Sequence, residues 1–108
     1  MVLTRNFKDT VKDRIERDGP FRRALLSEAV QMLFEGDMVS GKSILRDYIN
    51  ATVGFEALAA KTKRPVKSLM RMFGPDGNPT ASNLFAVIGV LQTHTGVHLE
   101  VKASKQAA

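Results

Sequence analysis

The residues that most constrain the fold are glycines and prolines that interrupt a helical pattern. Apolar side chains recur every three or four residues along most of the 108-residue chain, which is the period of an amphipathic helix. Gly19, Gly36 and the stretch GPDGNPT (residues 74–80) break this pattern, because glycine ends helices and proline cannot continue one. The sequence therefore predicts several short helices around one modest core.

We predict an all-α fold of five to six helices on this basis. Asp37, Thr52 and Thr80 carry side-chain oxygens that suit helix N-caps. Phe7, Val11 and Ile15 form a narrow apolar stripe on the first helix. The last helix is predicted to face the core with Leu84, Phe85, Val87, Ile88 and Leu91. The approximate helix ranges are 4–17, 20–35, 38–51, 53–61, 65–73 and 81–94.

The C-terminal segment VHLEV has a different pattern. Val97, Leu99 and Val101 alternate with polar residues, which is typical of a short strand. A lone strand needs a partner, for example the same strand of a second subunit, and this segment therefore predicts a homodimer. The polar end of the chain, residues 102–108, has no core residue and is predicted to be a mobile tail.

The net charge is concentrated in one stretch. The formal charge is +5, yet residues 57–75 contain five basic residues and no acidic ones, and the rest of the chain has eleven of each. A charge run is often just a solvated face. A localised positive excess is also the signature of a nucleic-acid surface.

The basic stretch coincides with two short helices joined by a tight turn, FEALAAKTKRPVKSLMRMFG. Leu58 and Leu69 are placed to lock the pair together, and small Ala59 suits a close crossing. Such a pair forms a helix-turn-helix when the second helix is free to enter the major groove of DNA. The alternative from the same residues is a helical hairpin with a solvated basic face.

Candidate DNA contacts follow from this placement. Lys63, Arg64 and Lys67 lie at the turn and the start of the second helix, and Arg71 lies one turn later, within reach of guanine or phosphate. The next helix begins with free backbone N–H groups that attract phosphate. The predicted DNA-binding residues are Lys63, Arg64, Val66, Lys67, Ser68, Arg71, Thr80, Ser82 and Asn83.

The same region resembles the lambda-repressor-like (XRE) helix-turn-helix family, most closely its HigA-like antitoxins, which are encoded beside a RelE/ParE-type toxin. The resemblance covers about residues 25–101. The residues that carry it are Leu58-Ala59, Thr62, Ser68-Leu69, Arg71, GNPT at 77–80, Asn83-Leu84 and LSEAVQMLFEGD at 26–37.

This resemblance implies a homodimer that binds a double-stranded DNA operator, represses its own operon and has a toxin as a second partner. It also implies that the recognition-helix contacts fall on Val66, Lys67, Ser68 and Arg71. The chain is accordingly divided into an N-terminal helical extension (1–36), a helix-turn-helix DNA-binding domain (37–101) and the tail (102–108). A stand-alone repressor and a protein-interaction module without a toxin partner remain alternatives.

A second motif indicates a different function. GDMVSGKS, residues 36–43, matches the phosphate-loop pattern at every fixed position. A phosphate loop follows a buried parallel strand, whereas the preceding residues have helical spacing and few β-branched side chains. We therefore interpret the motif as a connection in which Gly36 ends one helix, Asp37 caps the next, and Lys42 lies in its early turns.

Other functional classes have little support in the sequence. The chain has no cysteine, and His94 and His98 straddle Gly96, so we expect neither a metal site nor another cofactor. No catalytic constellation is evident, and we expect no enzyme activity. The charged N-terminus is unlike a signal peptide, and no apolar run is long enough for a membrane span. We expect a cytoplasmic protein that has no membrane partner.

Overall fold

The computed structural model describes the backbone of residues 3–106 and the side chains of residues 10–106. The described chain is all-helical, as predicted, and has six helices. They are α1 (Leu3–Arg17), α2 (Gly19–Phe34), α3 (Met38–Ala51), α4 (Phe55–Thr62), α5 (Val66–Met72) and α6 (Ala81–Thr95).

The first three helices pack against one another. Asp18 caps α2 by accepting a hydrogen bond from the Phe21 N–H at 3.0 Å. Asp37 caps α3 in the same way, accepting from the Ser40 N–H at 3.0 Å. Both bonds satisfy N–H groups that have no partner within the helix. The predicted cap at Asp37 is therefore confirmed.

The last three helices form a second packed group, in which α4 contacts both α5 and α6. Contacts between α3 and α4 join the two groups, which share one hydrophobic core. Fully buried side chains from both groups contribute to it. They include Ile15, Leu26, Leu45, Tyr48, Ile49, Leu58, Leu69, Phe73, Val87 and Leu91.

The start of α4 differs from the prediction. Thr52 does not cap α4; it follows the end of α3, and its hydroxyl donates to the Tyr48 carbonyl at 2.7 Å. Val53 is buried at 9% exposure, so the chain bends inward before α4 begins. Gly54, with φ +79°, makes this bend and becomes the residue that precedes α4, because a positive φ suits glycine.

The predicted C-terminal strand is wrong, since residues 97–106 are neither helix nor strand. Gly96 ends α6 in the left-handed conformation, with φ +71°. Val97 then turns inward, to 5% exposure, and the Leu99 N–H donates to the Gln92 side-chain oxygen at 2.8 Å. A strand needs a neighbouring strand, and the described residues contain none. A side chain of α6 supplies an acceptor instead.

The core face of α6 also needs one correction. Val87, Ile88 and Leu91 are buried as predicted, but Phe85 is 63% exposed. Residues 84, 87, 88 and 91 follow the helical repeat along one side. Phe85 lies about a quarter-turn away from that side, so its ring points toward solvent.

The remaining boundary predictions have mixed outcomes. In α1, Ile15 is fully buried and Val11 packs against the core, as predicted; the side chain of Phe7 lies outside the described residues. The division at residue 36 separates α2 from α3, which pack against each other, and it stays a prediction. Residues 102–106 are exposed, but the mobility of the tail stays a prediction, and Ala107 and Ala108 lie outside the described residues.

Candidate nucleic-acid interface

The connection between α4 and α5 is three residues long, from Lys63 to Pro65. Lys63 adopts the left-handed conformation, with φ 56° and ψ 43°, and its N–H donates to the Ala59 carbonyl. The Arg64 N–H donates to the same carbonyl at 3.1 Å. These bonds close the end of α4, and Pro65 then fixes the backbone before α5. The result is the tight turn between two short helices that the sequence predicts.

The inward side of this helix pair is apolar. Leu58 and Leu69 have no exposed surface, and Ala59 is 7% exposed, which confirms their predicted place in the core. Val66, which we predicted as a DNA contact, is only half-exposed and packs against the core. It is the first residue of α5, and part of its side chain contacts the core and is not exposed.

The outward side carries positive charge. Lys63, Lys67 and Arg71 are all exposed, and Lys67 and Arg71 are one helical turn apart on the same face of α5. We call these three residues the basic face. The ion pairs found among the described side chains, Arg14–Asp18 and Arg17–Asp13, do not involve them. The basic face therefore presents cations that are available to an anionic partner.

Arg64 has a different environment from the basic face. Its Nε donates to the Asn83 side-chain oxygen, and one terminal nitrogen donates to the Thr62 carbonyl at 2.8 Å. Asn83 lies in the first turn of α6, which Thr80 caps by accepting from the Asn83 N–H at 3.2 Å. The Arg64–Asn83 bond thus joins the α4–α5 turn to the start of α6.

The structure therefore brings together two groups of predicted site residues that are well separated in sequence. Thr80 and Ser82 are exposed at the start of α6, and Ser68 is half-exposed on α5. Arg64 and Asn83 use hydrogen-bonding groups on each other, so they are less available to a ligand than the basic face. The candidate surface combines the basic face with the first turn of α6.

Sequence reasoning missed one set of residues beside this surface. Lys42 is only 6% exposed, and its Nζ donates to the carbonyls of Gly74, at 3.1 Å, and Gly77, at 2.6 Å. Arg46, one turn along α3, donates to the Phe73 carbonyl at 3.3 Å. A signal was present in the sequence, because Lys42 shares its helix face with Leu45 at the i+3 position.

The phosphate-loop match has a structural explanation in these contacts. Gly36 has φ +86° just after α2, Asp37 caps α3, and Lys42 lies in the second turn of that helix. The described residues contain no strand to precede such a loop, and the Lys42 ammonium donates to backbone carbonyls. Gly41 allows a close approach of α2, since a Cβ there would lie 2.5 Å from a Leu33 methyl carbon.

Metal ligands are not clustered in the described part of the chain. His94 and His98 are exposed, and between residues 10 and 106 no group of three or more histidine, cysteine, aspartate or glutamate side chains is arranged to hold a metal ion. From residue 3 to residue 106, no helix is both long and apolar enough to cross a membrane.

Comparison with known proteins adds no relative: no family model, no curated protein and no solved structure matches this chain.

Proposed function

We propose that this protein is a sequence-specific DNA-binding transcriptional regulator of the helix-turn-helix type. The observation that carries the proposal is the arrangement of α5. Leu69 on its inner side is fully buried, while Lys67 and Arg71 on its outer side are exposed, and a three-residue turn joins it to α4. A short helix that packs against the core on one face and exposes cations on the opposite face suits insertion into the major groove.

Each residue of the candidate surface has a role in this proposal. Lys67 and Arg71 contact guanine edges or phosphates, Ser68 contacts a base or phosphate, and Lys63 contacts the backbone beside the groove. The exposed part of Val66 is apolar and suits a thymine methyl group. Thr80 and Ser82 bring the N–H groups at the start of α6 to a phosphate.

Arg64 and Asn83 act differently from the other predicted contacts in this proposal. Their mutual hydrogen bond holds the start of α6 beside the α4–α5 turn. Both residues therefore serve mainly to set the distance between α5, which enters the major groove in this proposal, and the first turn of α6, which contacts a phosphate. Arg64 contributes positive charge to the same surface, which strengthens its attraction for the DNA backbone.

The regulator is further proposed to be the antitoxin of a toxin–antitoxin operon that represses its own promoter in the cytoplasm. This part rests on the resemblance to HigA-like antitoxins, including GNPT at residues 77–80. The same resemblance supports a homodimer and a RelE/ParE-type toxin as partner. The VHLEV segment does not support a dimer, because it is not a strand and its Leu99 N–H donates to the Gln92 side chain of α6.

The central test is binding to the double-stranded DNA upstream of the protein's own gene, measured by fluorescence anisotropy across a range of salt concentrations. The Lys67→Ala/Arg71→Ala variant is expected to bind about 100-fold more weakly, since each residue supplies one groove or phosphate contact. Its slope of log K against log salt should also be shallower by about one to two. Lys12→Ala/Lys105→Ala, which removes the same charge elsewhere, is the matched control.

The alternatives give different results in the same experiment. A protein-interaction module would not bind this DNA, or would bind it equally well without Lys67 and Arg71. A stand-alone repressor would bind DNA but would not co-purify with the product of a neighbouring toxin gene. Light scattering tests the dimer, and a monomer at micromolar concentration, both free and on the operator, would contradict it.

A further inference from the structure

We propose that Lys42 is a positioning residue for DNA recognition: its buried ammonium, on α3, holds the C-terminal end of α5 and the following turn in place. The inference rests on the proposed function for its DNA-binding consequence. Its structural part, the fixing of α5 by α3, depends only on the geometry. Lys42 lies on the phosphate-loop-like motif, so the proposal also gives that lysine a role.

The Lys42 ammonium lies against backbone carbonyls. Lys42 as a whole is 6% exposed, and its ammonium requires hydrogen-bond acceptors, because a buried charge without them is costly. The carbonyls of Gly74 and Gly77 supply them, at 3.1 and 2.6 Å. These carbonyls follow the end of α5, where the helix dipole favours a cation. The positive ammonium is therefore attracted to the partial negative charge at the C-terminal end of α5.

The turn that Lys42 contacts folds close to the end of α5. A Cβ on Gly77 would lie 2.0 Å from the Arg71 carbonyl, so any side chain at this position requires the turn to move away from α5. With glycine, the Gly77 N–H donates to the Gly74 carbonyl at 3.1 Å, and the turn folds tightly under the helix. This close fold brings both carbonyls to the same ammonium.

α5 is a short helix whose C-terminal end is hydrogen-bonded to α3. It is seven residues long, and its N-terminus has no side-chain cap, so the helix has few internal means of fixing its direction. Arg46 adds a third bond from α3, to the Phe73 carbonyl at 3.3 Å. α3 is itself packed by α1 and α2. Lys42 and Arg46 thus connect a helix that packs against both α1 and α2 to the end of the DNA-facing one.

The experiment compares wild-type protein with Lys42→Met, Lys42→Arg and the exposed control Lys12→Met. Methionine keeps the apolar stem and removes the ammonium, so it separates charge from packing. We expect Lys42→Met to weaken binding to the upstream DNA about tenfold, the size of one lost base contact, without changing the salt slope, because Lys42 meets carbonyls rather than phosphates. Lys42→Arg should recover part of the affinity, and Lys12→Met should bind as wild type.

A second measurement, amide hydrogen exchange, tests the positioning without DNA. In Lys42→Met, exchange should accelerate in α5 and at Gly77, with α1 and α2 unchanged. Unchanged exchange and unchanged affinity would overturn the proposal. A salt slope shallower by about one would also overturn it, since Lys42 would then be a phosphate contact itself.

If wild-type protein binds no upstream DNA, the proposed function fails together with the DNA role of Lys42. The exchange data then decide whether α3 fixes α5. If Lys42→Met does not fold, Arg46→Gln replaces it, with the same expected pattern and a smaller effect, and unchanged binding and exchange in that variant would overturn the proposal.

Discussion

The two halves of the molecule differ in how their charges and helix ends are arranged. Up to Ala51 the chain has nine basic and eight acidic residues, against seven and three after it. In the first half, α2 and α3 begin with aspartate caps, Asp18 and Asp37. In the second half, α4 and α5 are shorter, lack side-chain caps and are joined through a left-handed lysine.

This difference separates a half with balanced charge and capped helices from the half that carries the candidate DNA-binding surface. The first half has balanced charge and ion pairs within α1 and at its end, such as Arg14–Asp18. The second half exposes unbalanced cations and a residue in an unfavourable conformation, Lys63. Repulsion among the cations and the left-handed conformation of Lys63 both lower the stability of the fold, whereas the unbalanced cations attract an anionic partner. The bonds from Lys42 and Arg46 of α3 hold the C-terminal end of α5 and the turn that follows it.

The largest effect tests whether the halves unfold together. Leu26→Ala in α2 and Leu69→Ala in α5 each remove a fully buried side chain and should lower the free energy of unfolding by about 2–5 kcal/mol. Because both leucines lie in one core, we expect a single transition in urea. Circular dichroism follows all helices, and the fluorescence of Tyr48, the chain's single tyrosine, follows α3. An earlier circular-dichroism transition in Leu69→Ala would show that the second half unfolds separately.

The next effect contrasts two glycines of the second half. Gly77→Ala forces a Cβ to within 2.0 Å of the Arg71 carbonyl and should destabilise by about 1–3 kcal/mol. Gly89→Ala lies inside α6, and outside the backbone of that helix no atom lies within 4 Å of the new Cβ, so it should stabilise by up to about 1 kcal/mol. Urea unfolding monitors both variants. Equal effects would contradict the close fold of the 74–77 turn.

A smaller effect is expected at the α4–α5 turn. Lys63→Gly relieves the left-handed conformation, φ 56°, but increases the freedom of the unfolded chain, so the net gain in stability should be about 0.5 kcal/mol. Lys63→Ala, which keeps the strain, should give no gain. Both variants should weaken binding to the upstream DNA to the same degree. A larger loss with glycine would indicate that the turn itself becomes too flexible.

The smallest effect concerns the aspartate caps of the first half. The Phe21 N–H lowers the pKa of Asp18, and the Ser40 N–H lowers the pKa of Asp37, from the ordinary value of 3.8. Their stabilisation is thus complete above about pH 4 and is lost as pH falls through the lower folded-state pKa values. Asp18→Asn/Asp37→Asn should therefore lose less stability between about pH 4 and pH 2 than wild type. Thermal melts across this pH range measure the stability of wild type, the double variant and the control Asp76→Asn. If stability falls equally with pH in all three proteins, the charged caps do not contribute to the pH dependence.

Much of the fold could be predicted from local signals. The breaks at Gly36 and at GPDGNPT, the cap at Asp37 and the burial of Leu58 and Leu69 follow from residue type and spacing, because caps and helical faces are short-range properties. The exposed positions of Lys63, Lys67 and Arg71 follow in the same way.

The errors arose where a distant contact overrode a local preference. Thr52 has the chemistry of an N-cap, but burial of Val53 moved the start of α4. VHLEV alternates like a strand, but burial of Val97 and the Gln92 side chain gave its backbone another set of partners. Phe85 is apolar, yet the packing of Val87 and Leu91 determined which side of α6 faces inward.

By itself, the sequence determined the all-α class, a count of five to six helices, their approximate limits and the position of the unbalanced charge, since each depends on neighbours within about one or two helical turns. The tertiary structure alone decided what Lys42 contacts and which of the predicted cations remain available. Arg64 lies against Asn83, and Lys42 lies against carbonyls more than 30 residues away. Long-range hydrogen bonds of buried or half-buried cations depend on how helices pack, and no local pattern specifies that.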